Sequence, residues 1–211
     1  MKLHPLLHKS LYLITDRHQI PSGKSLLQTI EKALIGGARL IQLREKDLSA
    51  AELWLIAQQL RNLTHRFSAK LLINDRIDLA LACNADGVHL GEHSLPTSEA
   101  RRLIGTGRLL GRSTHSVAEI QRAATQGADF VTFGPIYHTP SKAAFGSPMG
   151  LEQLNIACHT TNLPVFALGG IKTDHVSEVL SHGASGVALI SAIIADSDPQ
   201  KSTENFLSRL V

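Results

Sequence analysis

The sequence predicts a single (β/α)8 barrel of parallel strands spanning residues 1–211, and three observations carry that expectation. Short β-rich runs alternate with longer helical patterns along the whole chain, and eight of each can be placed. A small-residue signature recurs before every second strand. Thr15-Asp16-Arg17-His18 follows the first strand, where an open dinucleotide-binding sheet would need Gly-x-Gly-x-x-Gly.

The first strand is placed at 11–15 and its helix at 25–35. Three further pairs follow at 40–43 and 50–66, 70–73 and 76–83, and 87–90 and 97–104. The second half repeats the pattern with 109–112 and 117–126, 130–133 and 151–160, 165–168 and 173–181, and 186–189 before a closing helix at 201–210. Each strand run is short and β-rich. The recurring signature is Gly37-Ala38-Arg39, Asn84-Ala85-Asp86, Gly127-Ala128-Asp129 and Gly183-Ala184-Ser185. Gly or Asn at its head can take the left-handed conformation that ends a helix and turns the chain back into the sheet. No Pro/Ser linker or charge run marks a domain boundary.

Composition narrows the function classes. Apolar residues make up 43% and charged residues 18%, which fits a packed interior. The net charge of +3 suits anionic ligands, but Lys and Arg are scattered rather than gathered on a nucleic-acid-binding face. Cys83 and Cys158 lie far apart, and the 11 histidines form no His-Glu-x-x-His or His-x-His cluster. His4, Pro5, His8 and Lys9 interrupt the start, and no apolar run reaches the roughly 18 residues of a membrane span. A cytoplasmic protein is expected.

In a barrel the residues just after each strand face the active-site mouth. Here those are Thr15 and Asp16, Gln42 with Arg44 and Lys46, Asn74 and Asp75, Gly91 to Ser94, Ser113 with His115, Thr139 to Lys142, Gly169-Gly170, and Ser191. Such a concentration of Lys, Arg, Ser, Thr and Gly suits phosphate oxygens. Alternation puts Gln42 and Arg44 on one face, where a guanidinium can fork onto phosphate and an amide can fix a ring edge. Alternatively Arg44 forms a structural ion pair with Glu45 or Asp47. Gly169-Gly170 and Ile190-Ser191 stand where this fold usually cradles phosphate, or else form plain tight turns. The longest loop, 134–150, carries Thr139-Pro140-Ser141-Lys142, an anion clamp on a segment long enough to be a lid, or an ordinary surface loop. Asp75 is either a Mg²⁺ ligand bridging to a diphosphate or a helix N-cap.

Together these residues resemble the thiamin-phosphate synthase and thiazole tautomerase superfamily, from Tyr12-Leu13-Ile14-Thr15-Asp16 to Ser191-Ala192-Ile193. The resemblance is carried by Gln42-Leu43-Arg44-Glu45-Lys46, Ile73-Asn74-Asp75-Arg76, Asp86-Gly87-Val88-His89-Leu90-Gly91 and Gly134-Pro135-Ile136-Tyr137. Thr139-x-Ser141-Lys142 and Gly169-Gly170-Ile171 complete it. It implies a transferase that couples a hydroxymethylpyrimidine diphosphate with a hydroxyethylthiazole phosphate. On that resemblance Gln42, Arg44, Lys46, Asn74 and Lys142 hold the pyrimidine diphosphate, Ser113 lies near the pyrimidine, and Asp75 binds Mg²⁺. Thr139, Pro140, Ser141, Gly170, Ile190 and Ser191 surround the thiazole phosphate. Lys142, Arg44 and Ser113 are the expected catalytic residues.

Two departures matter. Ser94 stands where the synthase pattern has a second metal-binding Asp, with Glu92 out of register. Gly111-Arg112-Ser113-Thr114-His115-Ser116 resembles the tautomerase branch, which isomerises a thiazole carboxylate phosphate. Yet Pro135 replaces that branch's catalytic His, and the nearest substitute is His138. A tautomerase-like isomerase and a non-catalytic barrel binding a thiazole or thiamin phosphate are the alternatives. The expected partners are small molecules, with no nucleic acid or membrane, and a homo-oligomer remains open.

Overall fold

A computed structural model describes residues 7–139 and 147–210. Eight parallel strands, β1 (Ser10–Ile14), β2 (Leu40–Leu43), β3 (Lys70–Asn74), β4 (Gly87–Leu90), β5 (Leu109–Thr114), β6 (Phe130–Phe133), β7 (Val165–Leu168) and β8 (Gly186–Leu189), close into a barrel in sequence order. Closure is direct, with Ser10 opposite Gly186 and Leu13 opposite Leu189. Outside lie α1 (Leu26–Ile35), α2 (Ala50–Arg66), α3 (Ile77–Ala82), α4 (Thr97–Ile104), α5 (Val117–Thr125), α6 (Gly150–His159), α7 (Val176–Ser181), α8 (Ser191–Ile194) and α9 (Pro199–Leu207).

The helix starts follow local chemistry. Ser25 and Ser49 each accept the N–H of the residue three further on, closing capping boxes with Gln28 and Glu52. The helix ends follow the recurring signature: Gly37, Asn84, Gly127 and Gly183 all have positive φ, from 50° to 105°.

Two apolar layers result. Leu11, Leu13, Ile41, Leu71, Val88, Val131 and Val187 point outward against the helices, while Tyr12, Leu40, Leu72, Phe130, Phe166 and Ala188 fill the interior. The rings of Tyr12, Phe130 and Phe166 meet edge-on with centroids 5.4 to 6.0 Å apart. Gly111 makes room for this layer, since a Cβ there would lie 2.4 Å from His89 Nδ1 and 2.5 Å from Phe130 Cζ.

The N-terminal face is held by charge. Asp86 accepts the Leu71 N–H and pairs with Lys70 and Arg61, and Asp129 accepts the Leu110 N–H and pairs with Arg101. A broad concavity on this face is lined by Arg61, Lys70, Arg101 and Arg108. Arg101 and Arg108 also donate to backbone carbonyls, Arg101 to Gly127, Gly105 and Arg108, and Arg108 to Ala85. These donors stabilise the fold at the end of the barrel away from the mouth. Both cysteines are free thiols, and no helix among the described residues is long and apolar enough to cross a membrane.

The closing helix begins earlier than its sequence pattern suggests, at Pro199 with Asp198 accepting the Lys201 N–H. A further short helix, α8, intervenes where the sequence pattern runs straight on from β8.

Candidate active site at the barrel mouth

The strand ends bring Gln42, Arg44, Asn74, Asp75, Ser113, Gly170 and Ser191 to the C-terminal end of the barrel. Lys46 follows on the exposed side of β2 and Thr139 lies half-buried after β6. Pro140, Ser141 and Lys142 lie outside the described residues.

Arg44 does not pair with Glu45 or Asp47. Both carboxylates are instead collected by Arg17. The Arg17 backbone N–H donates to both Glu45 oxygens at 3.2 and 3.1 Å, and its guanidinium grips Asp47 at 2.6 and 2.5 Å. Arg17 thereby holds the Asp47 carboxyl well below the usual carboxylate range. Among the described residues the Arg44 guanidinium has no ion-pair partner, while its N–H donates to Thr15 Oγ1.

Asp75 is not a helix cap. The N-cap of α3 is Arg76, which makes no side-chain cap bond. Asp75 itself sits at φ 62° with an exposed carboxylate that forms no hydrogen bond or ion pair among the described residues. A non-glycine residue in this region is uncommon and costs about 1 to 3 kcal/mol. An exposed oxygen donor held this way fits a hard cation, which takes one or two carboxylates and completes its shell from water and phosphate. Ser94 does not present itself in the same manner: its Oγ accepts the Gly91 N–H at 2.7 Å and closes the turn after β4.

Gln42 is buried and donates from Nε2 to the Tyr12 hydroxyl at 2.7 Å, which leaves Oε1 and the second Nε2 hydrogen to offer. Ser113 lies below the mouth, with His89 Nε2 at 3.0 Å and Thr132 Oγ1 at 3.5 Å. His89 carries no site assignment from the sequence, although alternation within Gly87-Val88-His89-Leu90 aims it inward. Burial, reinforced by the charges of Arg44 and Arg112, pushes its imidazole down to about 3, so it is neutral near pH 7. Its Nδ1 is buried without a partner among the described residues, which favours the tautomer carrying the proton on Nε2. In that tautomer His89 donates to Ser113 Oγ and leaves the serine's own proton to point elsewhere.

Gly169 and Gly170 have φ 98° and 67°. A Cβ on Gly170 would lie 2.6 Å from the His138 carbonyl oxygen and 2.8 Å from Tyr137 Cβ. Its glycine is therefore explained by contact with the start of the sixth loop before any ligand is considered. The N–H groups of Gly170 and Ser191 have no acceptor among the described residues, which leaves them available to an anion. The same loop is closed at its neck by Met149 N–H to Pro135 O and Gly150 N–H to Ile136 O. Tyr137 stacks on His175 at 4.0 Å and donates to Glu178. His138 is exposed.

A closed parallel barrel with a guanidinium, a carboxylate, hydroxyls and open N–H groups around its mouth defines an enzyme of phosphorylated small molecules. Residues 11–193 match the family model described as thiamine monophosphate synthase. The chain belongs to that family. A Geobacter sulfurreducens protein provisionally named as a thiamine-phosphate synthase is 57% identical over 95% of this chain and 94% of its own length. The thiamine-phosphate synthase of Clostridium novyi is 40% identical over 92% of this chain and 95% of its own. The chain spans 57% of the Synechocystis thiamine-phosphate synthase, at 42% identity. A solved structure of thiamine phosphate pyrophosphorylase from Pyrococcus furiosus superposes with a TM-score of 0.87 at 36% identity, covering 97% of each chain.

Proposed function

We propose that this chain couples a hydroxymethylpyrimidine diphosphate with a hydroxyethylthiazole phosphate, giving thiamin phosphate and pyrophosphate. One observation carries the reading: just after the adjacent strands β2 and β3, neither the Arg44 guanidinium nor the Asp75 carboxylate forms an ion pair among the described residues. Opposite charges left apart at one mouth suit a diphosphate on the first and a Mg²⁺ on the second.

Departure of pyrophosphate leaves a cation delocalised over the pyrimidine, which the thiazole nitrogen attacks. That nitrogen carries no proton, so the step needs no general base, in keeping with a neutral His89 beneath the mouth. Arg44, Lys46, Asn74 and Lys142 hold the diphosphate and take up charge as it leaves. Ser113, oriented by His89, meets the pyrimidine edge together with Gln42. Gly170, Ile190, Ser191 and the Thr139-Pro140-Ser141 segment hold the thiazole phosphate, so the two ring systems face each other as one encounter. Bound at Asp75, Mg²⁺ would supply charge neutralisation to the leaving diphosphate.

Pyrophosphate release from the two substrates tests the reading. Parent protein should turn over with Mg²⁺, and Arg44→Ala should lose about a hundredfold in kcat/KM. Release that ignores Arg44 would defeat the assignment. Binding without turnover would identify a sensor, and isomerisation of a thiazole carboxylate phosphate without Mg²⁺ would identify a tautomerase.

A further inference from the structure

Arg44-Glu45-Lys46-Asp47 alternates in charge, and an anion site built on its cations has two carboxylates within the same four residues. Left unpaired, those carboxylates would compete with the diphosphate for Arg44. Glu45 is buried, with 1% of its side chain exposed, so it cannot rely on water for its charge. Arg17, from the loop after β1, answers both. Its Nη1 reaches Glu45 Oε2 at 3.2 Å in addition to the contacts already described, and His18 adds a ring nitrogen 3.0 Å from Asp47.

We infer that Arg17 is a positioning residue for the diphosphate site, acting by holding Glu45 and Asp47 away so that Arg44 stays open to the substrate. The inference rests on the reading of Arg44 above. It assigns Arg17 no contact with the substrate. Its effect therefore passes entirely through the two carboxylates, which separates it from a phosphate ligand and from a residue that only stabilises the fold.

Pyrophosphate release kinetics and calorimetric binding of inorganic pyrophosphate, both with Mg²⁺, decide the matter. Arg17→Gln should raise KM for the pyrimidine diphosphate and Kd for pyrophosphate about tenfold, with kcat within about twofold. The triple variant Arg17→Gln/Glu45→Gln/Asp47→Asn should return both constants to within about threefold of the parent, since no carboxylate remains to compete. A triple variant as weak as Arg17→Gln would mean that Arg17 binds the anion itself, and the inference fails. Unchanged constants in Arg17→Gln with a lowered melting temperature would also overturn it, in favour of a purely structural role. Should Arg17→Gln not fold, the triple variant against the parent gives the answer, with parent-like affinity as support and tenfold weaker binding as refutation. Arg44→Ala separates the two levels. If it leaves pyrophosphate binding intact, the reading of the mouth falls, whereas loss in Arg44→Ala beside normal Arg17→Gln removes the Arg17 inference alone.

Discussion

Asp75 holds its carboxylate in solvent on a left-handed backbone, with no ion-pair partner among the described residues and room for one from solution. If that partner is Mg²⁺, Asp75→Ala should remove nearly all coupling activity. Ser94→Asp should lower the Mg²⁺ concentration for half-maximal rate. An Asp at 94 can accept the Gly91 N–H with one oxygen, as Ser94 does now, and offer the second to the metal. A Mg²⁺ titration of initial rates for parent and both variants checks this, and rates indifferent to Asp75 would remove the metal site. Ser94 as a turn-closing residue could not be read from sequence, because its bond to Gly91 depends on the path of the chain after β4. The place of Arg44 at the mouth was legible, but its freedom from Glu45 and Asp47 was not. That freedom depends on Arg17, which lies 28 residues before Glu45 and meets it only when β1 and β2 pair.

The seventh strand's turn and the start of the sixth loop pack as one element. Gly170 takes φ 67° against the Tyr137–His138 backbone, and the Tyr137–His175 stack ties the loop to the segment leading into α7. Gly170→Ala should lower the melting temperature by about 5 °C through the left-handed penalty and the clash with a backbone oxygen. It should also raise KM for the thiazole phosphate more than KM for the pyrimidine diphosphate. Calorimetry with steady-state kinetics checks both, and a stable variant with unchanged KM would show that the turn tolerates a side chain and guides no anion. Strands such as Phe130–Phe133 and Val165–Leu168 were legible to the residue, since apolar runs of that length between turn residues have few alternatives. The four-residue α8 was not, because so short a helix has no periodicity and owes its existence to the docking of Ile193 and Ile194 in the core.

At the scale of the molecule, His89 is a titratable ring enclosed by an apolar barrel. Its folded value, about 3, lies below its ordinary 6.5, so between those limits the unfolded chain binds a proton that the folded chain refuses. Stability present at neutral pH should therefore be lost as pH falls through that window. Urea unfolding at pH 7 and pH 4.5 should show the parent losing roughly 2 kcal/mol more than His89→Gln, whose uncharged amide can still meet Ser113. Equal losses in both proteins would place the acid sensitivity elsewhere.

The rings of Tyr12, His89, Phe130 and Phe166 close the barrel across its width, with the four side chains at most 2% exposed. The interior is thus a cup with one opening, and molecular traffic on the proposed reading is single-file. A pyrimidine seated against Ser113 must enter before the thiazole phosphate that settles nearer the rim at Gly170 and Ser191. Departure meets the same constraint. The newly joined product and the pyrophosphate share one exit, and nothing can drain through the far end, where charged pairs lock the opposite face. On that reading, order of arrival follows from the aromatic floor rather than from the residues proposed to hold the phosphates.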